Sequence, residues 1–234
     1  AKEGKTGVVE ALLKAGADPA RKDNEGQSAI NHALGGGHGD MVPLFTAKGA
    51  KPDGAALLTA LRNWDPAVVS SLLQQGVSPH PADGGEAPLV LASSAYKTKK
   101  PLVELILKAG AKTKVADSEG MTPLMHAGRW AGEDSVGAVK ALLKAGADHK
   151  ARDKKGMTAW THAMINGSND TAEVLAKAGA DEQFEALAWE GSFVKDAPRQ
   201  AMAVTDQKAW DEIWKKLGKD PVEVFSQAVQ NVKP

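Results

Sequence analysis

The 234-residue chain has no cysteine, and only 5% of its residues are aromatic. Without cysteine it can form no disulfide, thiolate metal site or iron–sulfur cluster, and it has no cysteine nucleophile. Its 29 Lys and Arg residues balance 29 Asp and Glu residues, so it lacks the basic excess that a nucleic-acid surface needs. No apolar run reaches the ~18 residues of a membrane span. We therefore expect neither a nucleic-acid nor a membrane partner.

Small residues are abundant, with 40 alanines and 24 glycines. At 42% apolar and 25% charged residues, the composition is that of a globular protein. The chain opens on Ala1, with neither an initiator Met nor a leader. This start fits a processed exported protein, a trimmed chain or the ordered part of a longer one. Composition does not choose among these three.

The phrase Lys-Ala-Gly-Ala-Asp, exact or in looser copies, recurs along the chain. Its glycines lie 27 to 36 residues apart, at positions 16, 49, 76, 110, 146 and 179. The copies follow apolar patterns that cover one face of a helix, as in Val8–Leu13. The lysine complements the helix dipole, and the glycine can adopt a left-handed cap conformation. The spacing therefore predicts a repeated helical unit.

An Asp-x-x-Gly turn comes next in three of the repeats, and a hydroxyl residue that can cap a new helix follows the turn. The turns are Asp23–Gly26, Asp117–Gly120 and Asp153–Gly156, and the caps are Ser28, Thr122 and Thr158. Pro123 lies at the first helical position, where its missing N–H costs nothing. Each repeat is thus predicted to be a hairpin turn plus two short antiparallel helices.

The copy at Asp117–Ala127 resembles the D-x-x-G-x-T-P-L-H-x-A pattern of the ankyrin repeat family. The resemblance covers residues 1–191 and implies an all-α fold: an α-solenoid of about six ankyrin repeats with a concave face of inner helices and hairpin fingers. It also implies protein binding without catalysis, and we expect no cofactor and no metal.

Several departures from the family pattern are expected to reshape the binding face. The first repeat begins at Ala1 in the tail of its inner helix, so that helix is absent or lies upstream. The finger between Gly49 and Leu57 is short, and the connection at 130–134 is long. After Asp181 the finger is lost. The histidine of T-P-L-H, whose hydrogen bonds tie neighbouring turns together in the family, is also replaced in every copy. We therefore expect some stability between repeats to be missing, or to be supplied by packing instead. The replacements are Asn31, Leu58, Val90, Met125 and Thr161.

The repeat is absent from residues 192–234. A stripe of Trp210, Ile213, Trp214 and Leu217 predicts a helix there. Since a solenoid needs terminal units that cover its last apolar face, we interpret 192–234 as a C-terminal helical cap. A separate partner-binding helix is the alternative.

Three histidines and a run of lysines are candidate functional features, but structural roles are favoured for both. His32, His126 and His162 occupy the same position in three repeats. Even adjacent repeats stack ~10 Å apart, which is too far for one metal with bonds of ~2 Å to bridge two such histidines. Packing or hydrogen bonding is the favoured reading, with metal binding or acid–base chemistry as the alternative. The segment from Lys97 to Lys114 contains six lysines and only one acidic residue, Glu104. They suggest a solvated face, or else a patch that steers an acidic partner.

The scarce aromatic residues predict the binding site. Four of them lie at or near the junction of the two helices in four repeats, which in ankyrin arrays commonly contacts partners. Trp, Tyr and Arg are enriched in interface hot spots. The predicted site comprises Arg62, Asn63, Trp64, Tyr96, Arg129, Trp130, Asn166 and Trp189. The alternative is that these rings fill gaps between repeats, above all Trp189, whereas Trp160 is predicted to be core.

The leading hypothesis is a monomeric ankyrin module whose concave face clamps a protein partner. Secreted bacterial ankyrin proteins include self-protection factors that inhibit an enzyme, such as a cell-wall-degrading one. That role favours a periplasmic or secreted location over the cytoplasm. The alternatives are an intracellular scaffold or substrate-recruiting fragment of a larger protein, and an enzyme whose active site lies in residues 192–234.

Overall fold

The computed structural model describes residues 1–81, 85–96 and 99–179. These residues form helices and no strand, as the all-α prediction requires. The chain divides into two compact units, Ala1–Lys112 and Thr113–Pro234. Three predictions fall outside the described residues: the loss of the finger in the last repeat, the position of Trp189 and the C-terminal helical cap. The boundaries 1–191 and 192–234 therefore stay predictions.

The N-terminal unit contains paired short helices. They are α1 Thr6–Lys14, α2 Ala29–Gly35, a 3-10 turn Gly39–Met41, α3 Val42–Thr46, α4 Gly54–Arg62, α5 Pro66–Gln74, α6 Pro88–Ser94 and α7 Lys99–Lys108. The inner helices α2, α4 and α6 pack on one another in that order, and the outer helices α5 and α7 pack side by side. Among the described residues, a turn precedes α1.

The C-terminal unit repeats the same arrangement. Its described helices are α8 Pro123–Gly128, α9 Glu133–Lys144, α10 Ala159–Ile165 and α11 Asn169–Lys177. The inner pair α8 and α10 and the outer pair α9 and α11 each pack together. Across the described part of the chain, no helix has the length and apolar character needed to cross a membrane.

The helix ends follow the predicted capping rules. The hydroxyl oxygens of Ser28, Thr122 and Thr158 each accept the backbone N–H three residues ahead, at 3.2 to 3.3 Å. All six glycines of the recurrent phrase have φ between 81° and 93°, the left-handed conformation that glycine adopts without a Cβ clash. These local signals explain why each helix begins and ends where it does.

Alanine lets the inner helices approach closely. Ala33 and Ala60 in the N-terminal unit, and Ala127 and Ala163 in the C-terminal unit, have no exposed surface. A methyl group at these positions fills the narrow space between helices at interior density. Trp160 is 1% exposed, which confirms its predicted place in the core.

The lysine run differs from its predicted reading at one position. Lys99 is fully buried at the start of α7, so the run is not uniformly a solvated face. Lys100 and Lys108 on the same helix are exposed. Burial of Lys99 follows from its position on the helix face that also carries Leu102 and Val103, both buried. Adjacent lysines on a helix therefore have different environments.

A single aspartate ties down the predicted short connection before α4. Asp53 caps α4 by accepting the Ala56 N–H at 3.1 Å, and it pairs with the Lys22 ammonium at 3.0 Å. Burial raises the pKa of Asp53, but the Lys22 contact and the backbone N–H outweigh it, so the pKa is lowered overall. Asp53 thus links the start of α4 to the preceding finger.

Replacement of Asp53 by alanine is expected to lower the free energy of unfolding by about 0.5–2 kcal/mol, because the helix cap is lost. Asp53→Asn keeps a capping oxygen and removes only the Lys22 ion pair, so it should retain most of the stability. Urea denaturation followed by circular dichroism measures both variants. Equal losses in the two variants would show that the ion pair, not the cap, stabilises this connection.

Candidate functional site

Two predicted site residues of the N-terminal unit, Trp64 and Tyr96, lie next to each other. Trp64 lies in the turn between α4 and α5, and Tyr96 lies just after α6. Their ring centroids are 6.3 Å apart at an interplanar angle of 45°, within the range of favourable aromatic pairs. Trp64 is 41% exposed and Tyr96 is 63% exposed. The pair forms an exposed aromatic surface, which we call the Trp64–Tyr96 patch.

The two other predicted residues of this unit, Arg62 and Asn63, precede Trp64 in the chain, and both make side-chain hydrogen bonds. The Arg62 guanidinium donates to the Glu86 carboxylate at 2.5 Å, and both side chains are substantially exposed. The Asn63 amide donates to the Leu34 carbonyl at 2.5 Å, linking the end of α4 to α2. Asn63 therefore has a structural bond between repeats, in addition to the binding role that the sequence predicts.

Arg129 and Trp130 are exposed in the long connection between α8 and α9 of the C-terminal unit, and Trp130 is 44% exposed. The Asp170 carboxylate accepts the Gly132 N–H at 2.9 Å, and the Thr171 hydroxyl donates to the Trp130 carbonyl at 3.2 Å. The extra residues of this connection thus form a loop that α11 holds in place. We call the two exposed residues the Arg129–Trp130 patch.

The remaining predicted residues have different outcomes. Asn166 is exposed at the end of α10, where its amide donates to the His162 carbonyl at 2.7 Å. Trp189 lies outside the described residues. The structure therefore presents one aromatic patch in each unit, and binding through either patch stays a prediction.

The three equivalent histidines each bond to an aspartate nine residues earlier. Nε2 lies 2.6 to 2.7 Å from Oδ2 in the pairs His32–Asp23, His126–Asp117 and His162–Asp153. In each pair Oδ1 accepts two backbone N–H groups of the hairpin turn. Each pair therefore fastens a finger to its own inner helix, in agreement with the hydrogen-bonding interpretation. Among the described residues, no group of three or more His, Asp or Glu side chains could hold a metal.

Burial and hydrogen bonding have opposing effects on the pKa values of His162 and Asp117. Burial lowers the pKa of His162 below 6.5, against the opposing effect of Asp153, and the nearby charges of Arg129 and His126 lower it further. Burial raises the pKa of Asp117, but the bonds from His126 and the backbone outweigh it, so the pKa falls below 3.8. Near neutral pH the finger at Asp153–Gly156 is therefore fastened by a neutral His162.

Stability is expected to fall as the pH drops below 6.5, the ordinary pKa of His162. The unfolded chain takes up the proton there first, since the folded pKa is lower, so the proton favours unfolding. Above 6.5 this effect is absent. Urea denaturation at a series of pH values measures it, and His162→Gln should flatten the slope in this range. An unchanged slope in His162→Gln would assign the acid sensitivity to another group.

Sequence reasoning missed the residues that support each patch. Glu86 and Asp170 lie far along the chain from the groups they bond, so no local pattern marks them. The His–Asp pairs did leave a signal, because the same nine-residue spacing occurs three times. The sequence shows the aspartates and the histidines at equivalent positions of the three repeats, but it did not lead us to predict the hydrogen bond between them.

Comparison with known proteins bears on both fold and function. A family model described as ankyrin repeats (3 copies) matches residues 57–153 and 89–186, and one described as ankyrin repeats (many copies) matches residues 1–46. No curated protein matches the sequence. In all, 438 chains of solved structures match, so likeness of fold alone does not choose a partner.

One matching structure is a predatory endopeptidase, Bd0816, from Bdellovibrio bacteriovorus in complex with immunity protein Bd3460. A chain of that structure aligns with a TM-score of 0.61 and 26% identity, over 75% of this chain and 94% of the other. The family models together cover well over half of the sequence. The chain belongs to the ankyrin repeat family.

Proposed function

We propose that this protein is a non-catalytic inhibitor that binds and blocks a partner enzyme, and that the enzyme is a peptidase. The observation that carries the proposal is the likeness to a chain of the endopeptidase–immunity protein complex, which extends over 94% of that chain. Ankyrin repeats typically bind proteins, and an immunity protein is one that protects its producer. Protection from a peptidase is therefore the role that we propose for this chain.

The proposed contact surfaces are the Trp64–Tyr96 and Arg129–Trp130 patches. The first exposes two aromatic rings, and the second exposes the ring of Trp130 beside Arg129. Tyr, Trp and Arg are the residue types enriched in the hot spots of protein interfaces. The Asn63 side chain, next to Trp64, bonds to the Leu34 carbonyl, and Asp170 and Thr171 bond to the backbone of the Trp130 loop. These bonds reduce the ordering entropy that binding costs. Each patch is available to a protein partner without rearrangement of its own unit.

The test begins with capture. The tagged full-length chain is cross-linked in extract of its native cell, and captured proteins are identified by mass spectrometry. The captured peptidase is then purified and titrated with the chain. We expect its hydrolytic activity to fall in proportion to the chain added and to vanish at one equivalent. Peptidoglycan and protein substrates assayed in parallel show whether the target degrades the cell wall.

Two outcomes would contradict the proposal. A peptidase that binds but keeps its full activity would favour the scaffold or recruiting role. Capture of non-enzymatic proteins alone would remove the peptidase from the proposal. A chain that has been heated beyond its unfolding transition and then cooled shows whether inhibition is recovered on refolding. Bovine serum albumin at equal concentration controls for non-specific protection.

A further inference from the structure

The backbone at Trp64 has an unusual conformation. Its φ is 54°, and among the described residues no other side-chain-bearing residue has a positive φ. This left-handed region brings Cβ close to the backbone of L residues, so it is populated mainly by glycine. A bulky aromatic residue there is an outlier that calls for an explanation.

The same turn occurs elsewhere in this chain, and there it uses glycine. Gly37 after α2 and Gly167 after α10 have φ of 80° and 68°. All three residues donate their N–H to the carbonyl three residues earlier, at 2.9 to 3.2 Å. The preceding cap residues Gly36, Asn63 and Asn166 also share nearly the same φ and ψ. Trp64 therefore occupies the glycine position of a repeated helix cap.

The turn at Trp64 is also less well closed than its counterparts. In each turn the next N–H bonds to the carbonyl five residues earlier. The donor–acceptor distance is 2.8 Å from His38 to Ala33 and 2.9 Å from Ser168 to Ala163, but 3.4 Å from Asp65 to Ala60. A longer hydrogen bond is weaker. The indole is thus held at a position where local structure favours glycine.

We infer that Trp64 is a specificity-determining binding residue, kept at a glycine position at the expense of stability so that its ring and that of Tyr96 meet the partner. The inference rests on the proposed function and identifies its central contact. Because the patch exposes two aromatic rings, and the nearby charges of Arg62 and Glu86 balance each other, we assign the partner element as an apolar pocket rather than a charged one. The Tyr96 ring packs beside the indole, tilted by 45° at a centroid distance of 6.3 Å.

Two substitutions of Trp64 distinguish the contribution of the indole ring to binding from the effect of the backbone conformation on stability. Trp64→Gly and Trp64→Ala both remove the indole, but only glycine relieves the left-handed strain. We expect the thermal midpoint of Trp64→Gly to exceed that of Trp64→Ala by about 2–4 °C. Gly37→Ala is the matched control: a Cβ there meets no atom within 4 Å, so any loss comes from the backbone. It should lower the midpoint by a similar amount.

Binding is then measured by calorimetry with the peptidase captured by the wild-type chain. We expect both Trp64 variants to lose at least tenfold in affinity, equally, despite their unequal stability. If Trp64 merely stabilised the fold, the loss would follow stability and be larger in Trp64→Ala. A Trp64→Ala midpoint at or above that of Trp64→Gly, or wild-type affinity in Trp64→Gly, would overturn the inference. Failure of the wild-type chain to inhibit any peptidase would instead overturn the proposed function, and the stability comparison would remain valid.

Discussion

Replacement of Trp160 by alanine is expected to lower the free energy of unfolding by about 3–5 kcal/mol. Trp160 is among the largest fully buried side chains and lies on α10, which packs against α8 and α11. Its removal leaves a cavity that the surrounding helices cannot fill without moving. Since domains of this kind are stable by only about 5–15 kcal/mol, the loss is a large fraction of the total. Urea denaturation monitored at 222 nm measures it.

Trp130→Ala is the matched control for this prediction. The same residue type is removed from the same unit, but Trp130 is 44% exposed and its loss leaves no closed cavity. We expect a change well below that of Trp160→Ala. Similar losses in the two variants would mean that the loop carrying Trp130 contributes to the core, and the interpretation of Trp130 as a surface contact would be wrong.

The double variant Arg129→Ala with Trp130→Ala is expected to weaken partner binding at least tenfold, about 1.4 kcal/mol. Both side chains are exposed, while the loop backbone is held by Asp170 and Thr171 through main-chain groups that alanine retains. The contact surface is therefore removed without loss of the loop's anchoring bonds. Isothermal titration calorimetry with the captured enzyme measures the affinity, and circular dichroism verifies the fold.

Lys140→Ala provides the comparison for the double variant. Lys140 is an exposed residue of the outer helix α9, away from the junction between inner and outer helices. Its replacement should leave affinity within twofold of wild type. Unchanged affinity in the Arg129–Trp130 variant, with the fold intact, would exclude this patch from the interface and leave the Trp64–Tyr96 patch as the proposed site.

Local signals along the sequence were sufficient to predict most of the fold. Hydroxyl residues cap helices through atoms three residues away, and glycine at a left-handed cap depends on the backbone of its own turn. Ser28, Thr122 and the recurrent glycines were predicted for that reason. The core position of Trp160 followed from the repeat register, because equivalent positions in stacked repeats have equivalent surroundings.

The sequence by itself determined the ankyrin repeat, the helix ends and the small set of exposed aromatic candidates, because each depends on residues close in the chain. Tertiary structure alone decided which groups meet: Trp64 with Tyr96, Arg62 with Glu86, and the Trp130 loop with α11. It also placed Trp64 at a glycine position and buried Lys99. These features depend on how neighbouring repeats pack, and packing joins residues whose separation in the chain leaves no local pattern.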